Sequence, residues 1–480
     1  SYDLPYIFHP DEPWPLRIGY QMLTTGDMNP HFFDWPTLSI YINYFVQASY
    51  SKLTGGVASN VSPVMQMGMG ITYTPTPELV LISRLVSIAF GVGTVAIVIV
   101  AGKKIKQNTG VGLLAGLIMA VVPTGVELSR FITADVYATF FVSVVLLASV
   151  YIFKGGKTWA YILAGVALGL AVSSKYNTAL IAMMILVAHF MRNGWKGFKD
   201  FRLYLIFLLE ALGFLIGTPY AILSFREFLD GFLSVGQHYS SGHAGMEGNT
   251  LKFYLTYMWQ TGGVIYILAL LEVFRGFVTR NKMIILVSIF PVAYFIFICS
   301  FFVRNGRTFY PITPFALLLA ASFLMFLWQK TKEVKRRPLR FALLIGTVLL
   351  ALGSIVFPIV KTVQATLKLT EVSSRETSRV WINENLPSGT KIAFESYAPF
   401  IDPEVYSLVR VDKMIDYEAE WYLENGIEYL VFCNGMYGRY YWEPDRYALE
   451  VEQYEVLFDR FTLVNQFNDS IYEVRIYKVE

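Results

Sequence analysis

Long apolar segments recur along the chain between about residue 79 and residue 360. A helix that crosses a bilayer needs about 20 mainly apolar residues, and ten segments of the chain approach that length. They lie at about 79–101, 110–127, 135–153, 158–174, 176–191, 203–220, 251–274, 282–302, 308–328 and 341–360. The pattern predicts an all-α polytopic membrane protein.

Basic residues are concentrated in every second connection between these segments. Eighteen of the 27 Lys and Arg residues before position 361 lie there: Lys103, Lys104, Lys106, Lys154, Lys157, Arg192, Lys196, Lys199, Arg202, Arg275, Arg280, Lys282, Lys330, Lys332, Lys335, Arg336, Arg337 and Arg340. Short loops rich in Lys and Arg stay in the cytoplasm, and the opposite, acidic side is therefore predicted to be extracytoplasmic. The predicted location is the plasma membrane. Because the chain then begins outside, we expect one further span before Ser1, about eleven in all.

Charge also divides the chain into three predicted domains. Residues 361–480 hold 12 basic and 21 acidic side chains, a net charge of −9, whereas residues 1–360 have a net charge of +12. Residues 1–78 are predicted to be a first outer loop with an interfacial helix at 36–53, and residues 79–360 the transmembrane body. Residues 361–480 are predicted to be an extracytoplasmic α/β domain, with helices around 371–385, 416–425 and 444–457 and strands at 391–396, 429–433 and 471–479.

Composition narrows the classes of function. Hydrophobic residues make up 55% of the chain and charged residues 16%, whereas soluble proteins have roughly 45–50% and 25%. The two cysteines, Cys299 and Cys433, exclude a disulfide scaffold. A net charge of +3 gives no electrostatic footprint for nucleic acid. The membrane is thus the expected partner, and nucleic acid is not.

Ionisable residues within or beside predicted spans are candidate functional groups, because burying them in a membrane costs free energy. On the predicted outer side they are His9, Asp11 and Glu12 in the first loop, Arg130 and Asp135 at the start of one span, Lys175 between two short helices, and Arg304 and Arg307 at the start of another span; Arg84 lies within the first span.

Each of these groups also has a structural alternative, such as an acidic turn, an interfacial salt bridge or a lysine that reaches to the membrane surface. Together, however, they place carboxylates, which can serve as a general base, on the same side as cations that suit a phosphate. The combination predicts a site where a lipid-linked phosphate meets an acceptor from the water.

Several of these segments resemble motifs of the GT-C glycosyltransferases, especially the protein O-mannosyltransferase and aminoarabinose-transferase-like branch. The resemblance rests on Asp11-Glu12, on Phe33-Asp34-Trp35-Pro36, on 128–141 with its Ser-Arg-x-Ile-x-x-Asp pattern, on the glycine-rich 163–176 that ends in Ser-x-Lys, and on Arg307-x-x-Tyr310-Pro311. Order and sidedness agree over about residues 9–315. The chain departs from the family pattern in two places, and both bear on the acceptor. Thr37 stands where the family's Pro-Pro element has its second proline. The predicted C-terminal domain is α/β, whereas eukaryotic protein mannosyltransferases carry β-trefoil repeats in the middle of the chain.

The resemblance implies a mannosyltransferase-like enzyme that takes a sugar from a polyprenyl-phosphate donor and inverts the anomeric centre. The phosphate leaves as a stable anion, so the site needs cations but no general acid. The implied residues are Asp11 as base with Glu12 and Asp135 orienting the acceptor, Lys175, Arg307, Arg84 and Tyr310 for the donor phosphate, and His9, His31, Arg130 and His243 for the acceptor or a substrate loop.

Some alternatives stay open at this stage. A divalent cation held by Asp11, Glu12 and Asp135 is one, and no other cofactor is expected. The acceptor hydroxyl belongs to a protein, a lipid or a glycan. The main rival function is a transporter or flippase of lipid-linked precursors, which predicts internal repeats that the sequence does not show. A membrane phosphotransferase and a non-catalytic scaffold are the remaining rivals.

Overall fold

The computed structural model describes residues 4–7, 9–55 and 72–480, and also the backbone of residues 65–66. The part of the chain that corresponds to the predicted first outer loop, which we call the first outer segment, includes a small antiparallel sheet. Its strands are β1 (Tyr6–Ile7), β2 (Met65–Gln66) and β3 (Thr72–Tyr73), with β3 in the centre. This sheet brings the start of the chain next to the residues that precede the first long helix. It therefore fixes the position of the turn that carries His9, Asp11 and Glu12.

Helices dominate the chain as far as residue 368. They are α1 (Pro13–Thr25), α2 (Leu38–Thr54), α3 (Pro77–Lys106), α4 (Thr109–Val121), α5 (Pro123–Ser129), α6 (Ala134–Gly155), α7 (Thr158–Val172), α8 (Ala182–Asn193), α9 (Phe201–Gly217), α10 (Tyr220–Leu223), α11 (Phe225–Ser241), α12 (Thr250–Gly262), α13 (Val264–Val278), α14 (Lys282–Cys299), α15 (Thr313–Glu333) and α16 (Arg337–Lys368). Short 3₁₀ helices occupy Tyr176–Ile181, Gly194–Lys199 and Gly306–Ile312.

All ten predicted segments fall on these helices, and the predicted all-α polytopic body is confirmed. Among the described residues, five helices are long and apolar enough to cross a membrane: α3, α6, α14, α16 and α15 with the 3₁₀ turn before it. Two bent pairs, α4–α5 (58°) and α12–α13 (112°), would add two spans. The other three predicted segments are shorter than expected, because α7, α8 and α9 have only 15, 12 and 17 residues.

Small residues let α7 and α9 pack with their backbones in close approach. A Cβ atom added at Gly169 would lie 2.2 Å from the carbonyl oxygen of Glu210, and one at Gly213 would lie 2.6 Å from that of Val166. Helices in membranes associate through such small-residue contacts. The glycine-rich segment thus fixes the end of α7, and with it the position of Lys175.

The region between the predicted segments 203–220 and 251–274 contains helix α11. None of the residues of α11 is buried. Its amphipathic pattern instead places several apolar side chains over a cavity of the membrane body, as described below.

The C-terminal α/β domain predicted from the sequence is confirmed. It contains β4 (Lys391–Phe394), β5 (Ser407–Arg410), β6 (Tyr429–Cys433), β7 (Thr462–Asn468), β8 (Glu473–Lys478), α17 (Ser374–Asn385), α18 (Ala419–Glu424), α19 (Gly438–Tyr441) and α20 (Ala448–Arg460). The sheet order is β5-β4-β6-β8-β7, in which β4 is parallel to β5 and β6 and the last two pairings are antiparallel. The edge strands β5 and β7 were missed because they are half-exposed and polar. Helix α16 continues seven residues beyond position 361.

Candidate active site

A cavity of about 580 Å³ opens between the first outer segment, the start of α6, the break between α7 and α8, helix α11 and the turn before α15. Its charged lining residues are Asp11, Asp34, Asp135, Lys175 and Arg307. Most of the remaining lining is apolar or aromatic and includes Trp35, Tyr176, Phe232, Phe297 and Phe301. The structure therefore brings together the four residues on which the sequence interpretation depended most.

Local structure explains why three of these four side chains reach the cavity. Lys175 has an extended backbone (φ −157°) between α7 and the following 3₁₀ helix. Asp135 lies in the first turn of α6, where the helix dipole favours a negative charge. The side chain of Asn305 accepts a hydrogen bond from the backbone N–H of Arg307 (3.0 Å) and so caps the turn that presents the guanidinium.

The four charged groups form two ion pairs. The Lys175 ammonium donates to Asp135 Oδ1 at 2.6 Å, and the Arg307 guanidinium donates to Asp11 Oδ2. Burial raises the pKa of Asp11, but the Arg307 guanidinium, together with His9 and Lys175, outweighs that effect and holds the pKa of this carboxyl below its ordinary value. Asp11 is therefore ionised at neutral pH.

Glu12 and Arg84 are bound to each other rather than to this cavity, which corrects the roles expected of them. Arg84 Nε donates to Glu12 Oε1 at 2.7 Å and Nη2 donates to Oε2 at 2.8 Å. Glu12 is fully buried, Arg84 is 7% exposed, and Glu12 Oε1 also accepts from the backbone N–H of Ile132. The pair joins the first outer segment to α3 and to the segment before α6.

Tyr310 also lies away from the cavity, which corrects its expected role at the donor phosphate. Its side chain is 1% exposed, and its hydroxyl packs against Gly125 of α5, where an added Cβ would lie 3.1 Å away. The aromatic side chain thus belongs to the core of the membrane body.

His9 and Arg130 line a second cavity, of about 280 Å³. The His9 Nδ1 atom accepts a hydrogen bond of 3.2 Å from the backbone N–H of Asp11, and its ring packs against Phe131. Burial lowers the pKa of His9, so the imidazole is neutral at pH 7. Arg130 donates a hydrogen bond to Thr366 Oγ1 at 2.5 Å, which ties the end of α5 to α16.

His31 and His243 lie outside the larger cavity, where each connects two segments. His31 is exposed; its ring contacts Asp27 (3.0 Å) and Glu227 of α11 (3.1 Å), and the hydrogen bond to Asp27 raises its pKa most. His243 lies 3.1 Å from a guanidinium nitrogen of Arg439 in the C-terminal domain. Burial lowers the pKa of His243 to about 4.

The carboxylates of Asp11, Glu12 and Asp135 do not come together as ligands of one divalent cation. Among the described residues there is no group of three His, Cys, Asp or Glu side chains suited to a metal ion. Asp11, Glu12 and Asp135 are instead neutralised by three different cations of the chain.

Sequence reasoning did not assign a role to several residues of the cavity wall. Asp34 and Trp35 were part of the recognised motif, and Tyr176 directly follows Lys175; its hydroxyl donates to the carbonyl oxygen of Phe33 at 3.2 Å. Phe232 and Tyr239 come from α11. The helical spacing of its apolar residues was the one signal that could have found them.

Comparison with known proteins gives a consistent result. Residues 68–231 match the family described as dolichyl-phosphate-mannose-protein mannosyltransferase. The chain is similar to ArnT from Cupriavidus metallidurans in the apo state (TM-score 0.55, 14% identity, 99% of this chain and 94% of that chain). Another ArnT structure, bound to undecaprenyl phosphate, gives a TM-score of 0.55 at 15% identity over 99% of this chain and 95% of that one.

A third similar structure is the Archaeoglobus fulgidus oligosaccharyltransferase tethered with an acceptor peptide, with a TM-score of 0.58 and 12% identity over 99% of this chain and 70% of that chain. Comparison with curated proteins gave no match. The resemblance stated from the sequence is confirmed: this multi-pass membrane protein has the fold of the GT-C glycosyltransferases, and its residues 68–231 are similar to the dolichyl-phosphate-mannose-protein mannosyltransferase family.

Proposed function

We propose that this protein is a membrane glycosyltransferase that transfers a sugar from a polyprenyl-phosphate donor to an acceptor hydroxyl on the extracytoplasmic side, with inversion. The observation that carries the proposal is the shared cavity of Asp11, Asp135, Lys175 and Arg307. Its apolar walls suit an isoprenoid chain, and its charged residues suit a phosphate and a nucleophile.

In this proposal the two cations hold the donor phosphate. Lys175 and Arg307 both line the cavity, and guanidinium and ammonium groups are the usual protein ligands of phosphate. As the bond between the anomeric carbon and the phosphate oxygen breaks, the leaving phosphate gains negative charge. Fixed cations stabilise that charge in the transition state, as preorganised electrostatic groups do in many enzymes.

Asp11 acts as the general base. It is ionised at neutral pH and lines the same cavity as the two cations, and a positioned carboxylate can take the proton of a hydroxyl as it attacks. Attack on the face opposite the departing phosphate inverts the anomeric centre in a single displacement. Asp135 holds Lys175 in place through their 2.6 Å hydrogen bond, which makes it a positioning residue.

The similar proteins support the choice of substrates. One ArnT structure is described as bound to undecaprenyl phosphate, the oligosaccharyltransferase is described with an acceptor peptide, and the family match names a dolichyl-phosphate-mannose donor. For this chain we propose mannose, carried on a polyprenyl phosphate, as the first donor to test. A protein, a lipid or a glycan supplies the acceptor hydroxyl.

The proposal is tested with Asp11→Asn, which keeps the shape of the side chain but removes its charge. Transfer of labelled sugar from polyprenyl-phosphate mannose to membrane lipids and proteins should fall by about 10²-fold or more, the usual contribution of a general base. Glu78→Gln is the matched control, because Glu78 is an exposed carboxylate at the start of α3, outside the cavity. Near-normal transfer by a folded Asp11→Asn variant would remove Asp11 as the base.

A second variant tests the donor site. Lys175→Ala should raise the KM for the donor, since it removes a cation from the cavity. An unchanged donor KM would contradict the assignment of Lys175 to the phosphate. Mass spectrometry of the lipid that copurifies with the wild-type protein identifies the carrier directly.

A further inference from the structure

The second cavity lies where the membrane body meets the C-terminal domain. Its volume of about 280 Å³ is about nine times the ~30 Å³ share of one water molecule. α5 and the last turns of α16 line it from the body, whereas the start of α17 and the turn between β7 and β8 line it from the C-terminal domain. A ligand in this cavity would contact both parts of the protein.

Cations outnumber carboxylates in this cavity. Of the residues that the structure describes, the charged ones in its lining are Arg130, Lys368 and Arg375 and one carboxylate, Glu127. Among the described residues no carboxylate oxygen lies within ion-pair distance of Arg130 or Lys368, although Glu127 interacts electrostatically with Arg130. Lys175 and Arg307 of the larger cavity each form an ion pair. Arg375 is only 2% exposed, and its guanidinium stacks on the ring of Tyr472 at 4.0 Å.

The two cavities are separate but share a wall. Residues 9–10 and 130–131 line the smaller cavity, and Asp11 and residues 132–135 line the larger one. An anion in the smaller cavity would therefore be distinct from the proposed donor phosphate, on the other side of the segment that carries Asp11.

We propose that the smaller cavity binds a phosphate-bearing group through Arg130 and Lys368. A phosphate monoester carries a charge of −1.5 to −2 at pH 7, which the Arg130 and Lys368 side chains of this cavity would counter. Arginine also presents paired N–H donors that fit phosphate oxygens. The phosphate belongs either to the headgroup of a lipid or to a soluble phosphate compound.

The test measures binding to the full-length protein without any sugar donor, and it is therefore independent of the proposed transferase activity. Inorganic phosphate is titrated against chloride at constant ionic strength, and thermal stabilisation is recorded. In a second arm the protein is placed in phosphatidylcholine nanodiscs with or without phosphatidic acid. Stabilisation by inorganic phosphate supports a site open to soluble phosphates, and stabilisation by phosphatidic acid alone supports a lipid headgroup.

Variants assign the binding to this cavity. Lys368→Gln and Arg130→Gln should each weaken binding by about tenfold, the usual effect of losing a hydrogen bond to a charged group. Lys368 is exposed, which keeps the test valid even if Arg130→Gln fails to fold. Lys361→Gln, two turns earlier on α16 and outside the cavity, should bind like the wild type.

Three outcomes would overturn the proposal. The first is no stabilisation by either probe, and the second is equal binding by the wild type and Lys368→Gln. In the third, Lys175→Gln abolishes the thermal stabilisation by phosphate that depends on Lys368, and this would place the phosphate in the larger cavity. If Lys175→Gln keeps this stabilisation, the result supports binding in the smaller cavity.

Discussion

The buried ion pair between Glu12 and Arg84 allows a direct test of whether these residues are structural. Arg84→Met removes the two charge-assisted hydrogen bonds, at 2.7 and 2.8 Å, that hold the Glu12 carboxylate. The hydrogen bond from the backbone N–H of Ile132 to the same carboxylate, at 3.2 Å, is unaffected. Removing one partner of a buried pair costs about 3–5 kcal/mol, and we expect a loss of this size in the free energy of unfolding.

The measurement is reversible unfolding in mixed micelles. Lys330→Met serves as the control, because Lys330 pairs with Glu333 at the surface, where the side chains are 57% and 62% exposed; it should cost less than about 1 kcal/mol. Adding Glu12→Gln to Arg84→Met should restore part of the lost stability, since Gln is uncharged but still accepts from Ile132. A stable Arg84→Met variant with weakened donor binding would refute this reasoning and return Arg84 to the donor site.

Two further predictions concern packing and pH. Gly169→Val should lower the free energy of unfolding by about 1–3 kcal/mol or more, because the added Cβ would lie 2.2 Å from the carbonyl oxygen of Glu210 in α9. Gly236→Ala is the control: no atom lies within 4 Å of its added Cβ, so thermal unfolding should not change. Burial lowers the pKa of His243 to about 4, whereas a histidine in the unfolded chain has a pKa of about 6.5. The stability that the neutral imidazole contributes is therefore present above pH 6.5 and is lost as pH falls toward 4. Limited proteolysis at residues 242–249 should therefore accelerate over that range, and His243→Gln should remove most of the change; equal pH dependence in both proteins would contradict this.

The membrane body was predictable because its signals are strong and local. Apolar runs of about 20 residues report helices whatever their tertiary contacts, and all ten predicted segments are helical. Asp11, Asp135, Lys175 and Arg307 could be predicted as candidates because charged groups beside spans are costly and rare, and all four line the larger cavity. The edge strands β5 and β7 gave no comparable signal, since none of their residues is buried and their sequences show neither a long apolar run nor a regular apolar–polar alternation.

Which cation would bind which carboxylate was not predictable. Asp11 and Glu12 are neighbours with the same charge, yet Asp11 lines the cavity and Glu12 is fully buried against Arg84. That difference depends on the turn before α1, where the backbone N–H of Glu12 bonds the carbonyl oxygen of His9, and on the approach of α3. Both are tertiary features, and a motif of two adjacent acids contains no information about them.

In the proposed mechanism, the ion pairs of the cavity link donor binding to the basicity of Asp11. Arg307 lowers the pKa of Asp11 in the free protein, and a donor phosphate that binds Arg307 weakens this effect. The pKa of Asp11 should therefore be higher in the donor complex than in the free enzyme. Because kcat/KM reports the free enzyme and kcat reports the complex, the acid limb of kcat should lie at higher pH than that of kcat/KM for the donor. Initial rates at several donor concentrations across the acidic range measure both limbs. Coincident limbs would mean that the phosphate leaves the Arg307–Asp11 pair intact, and the proposed exchange of partners would be wrong.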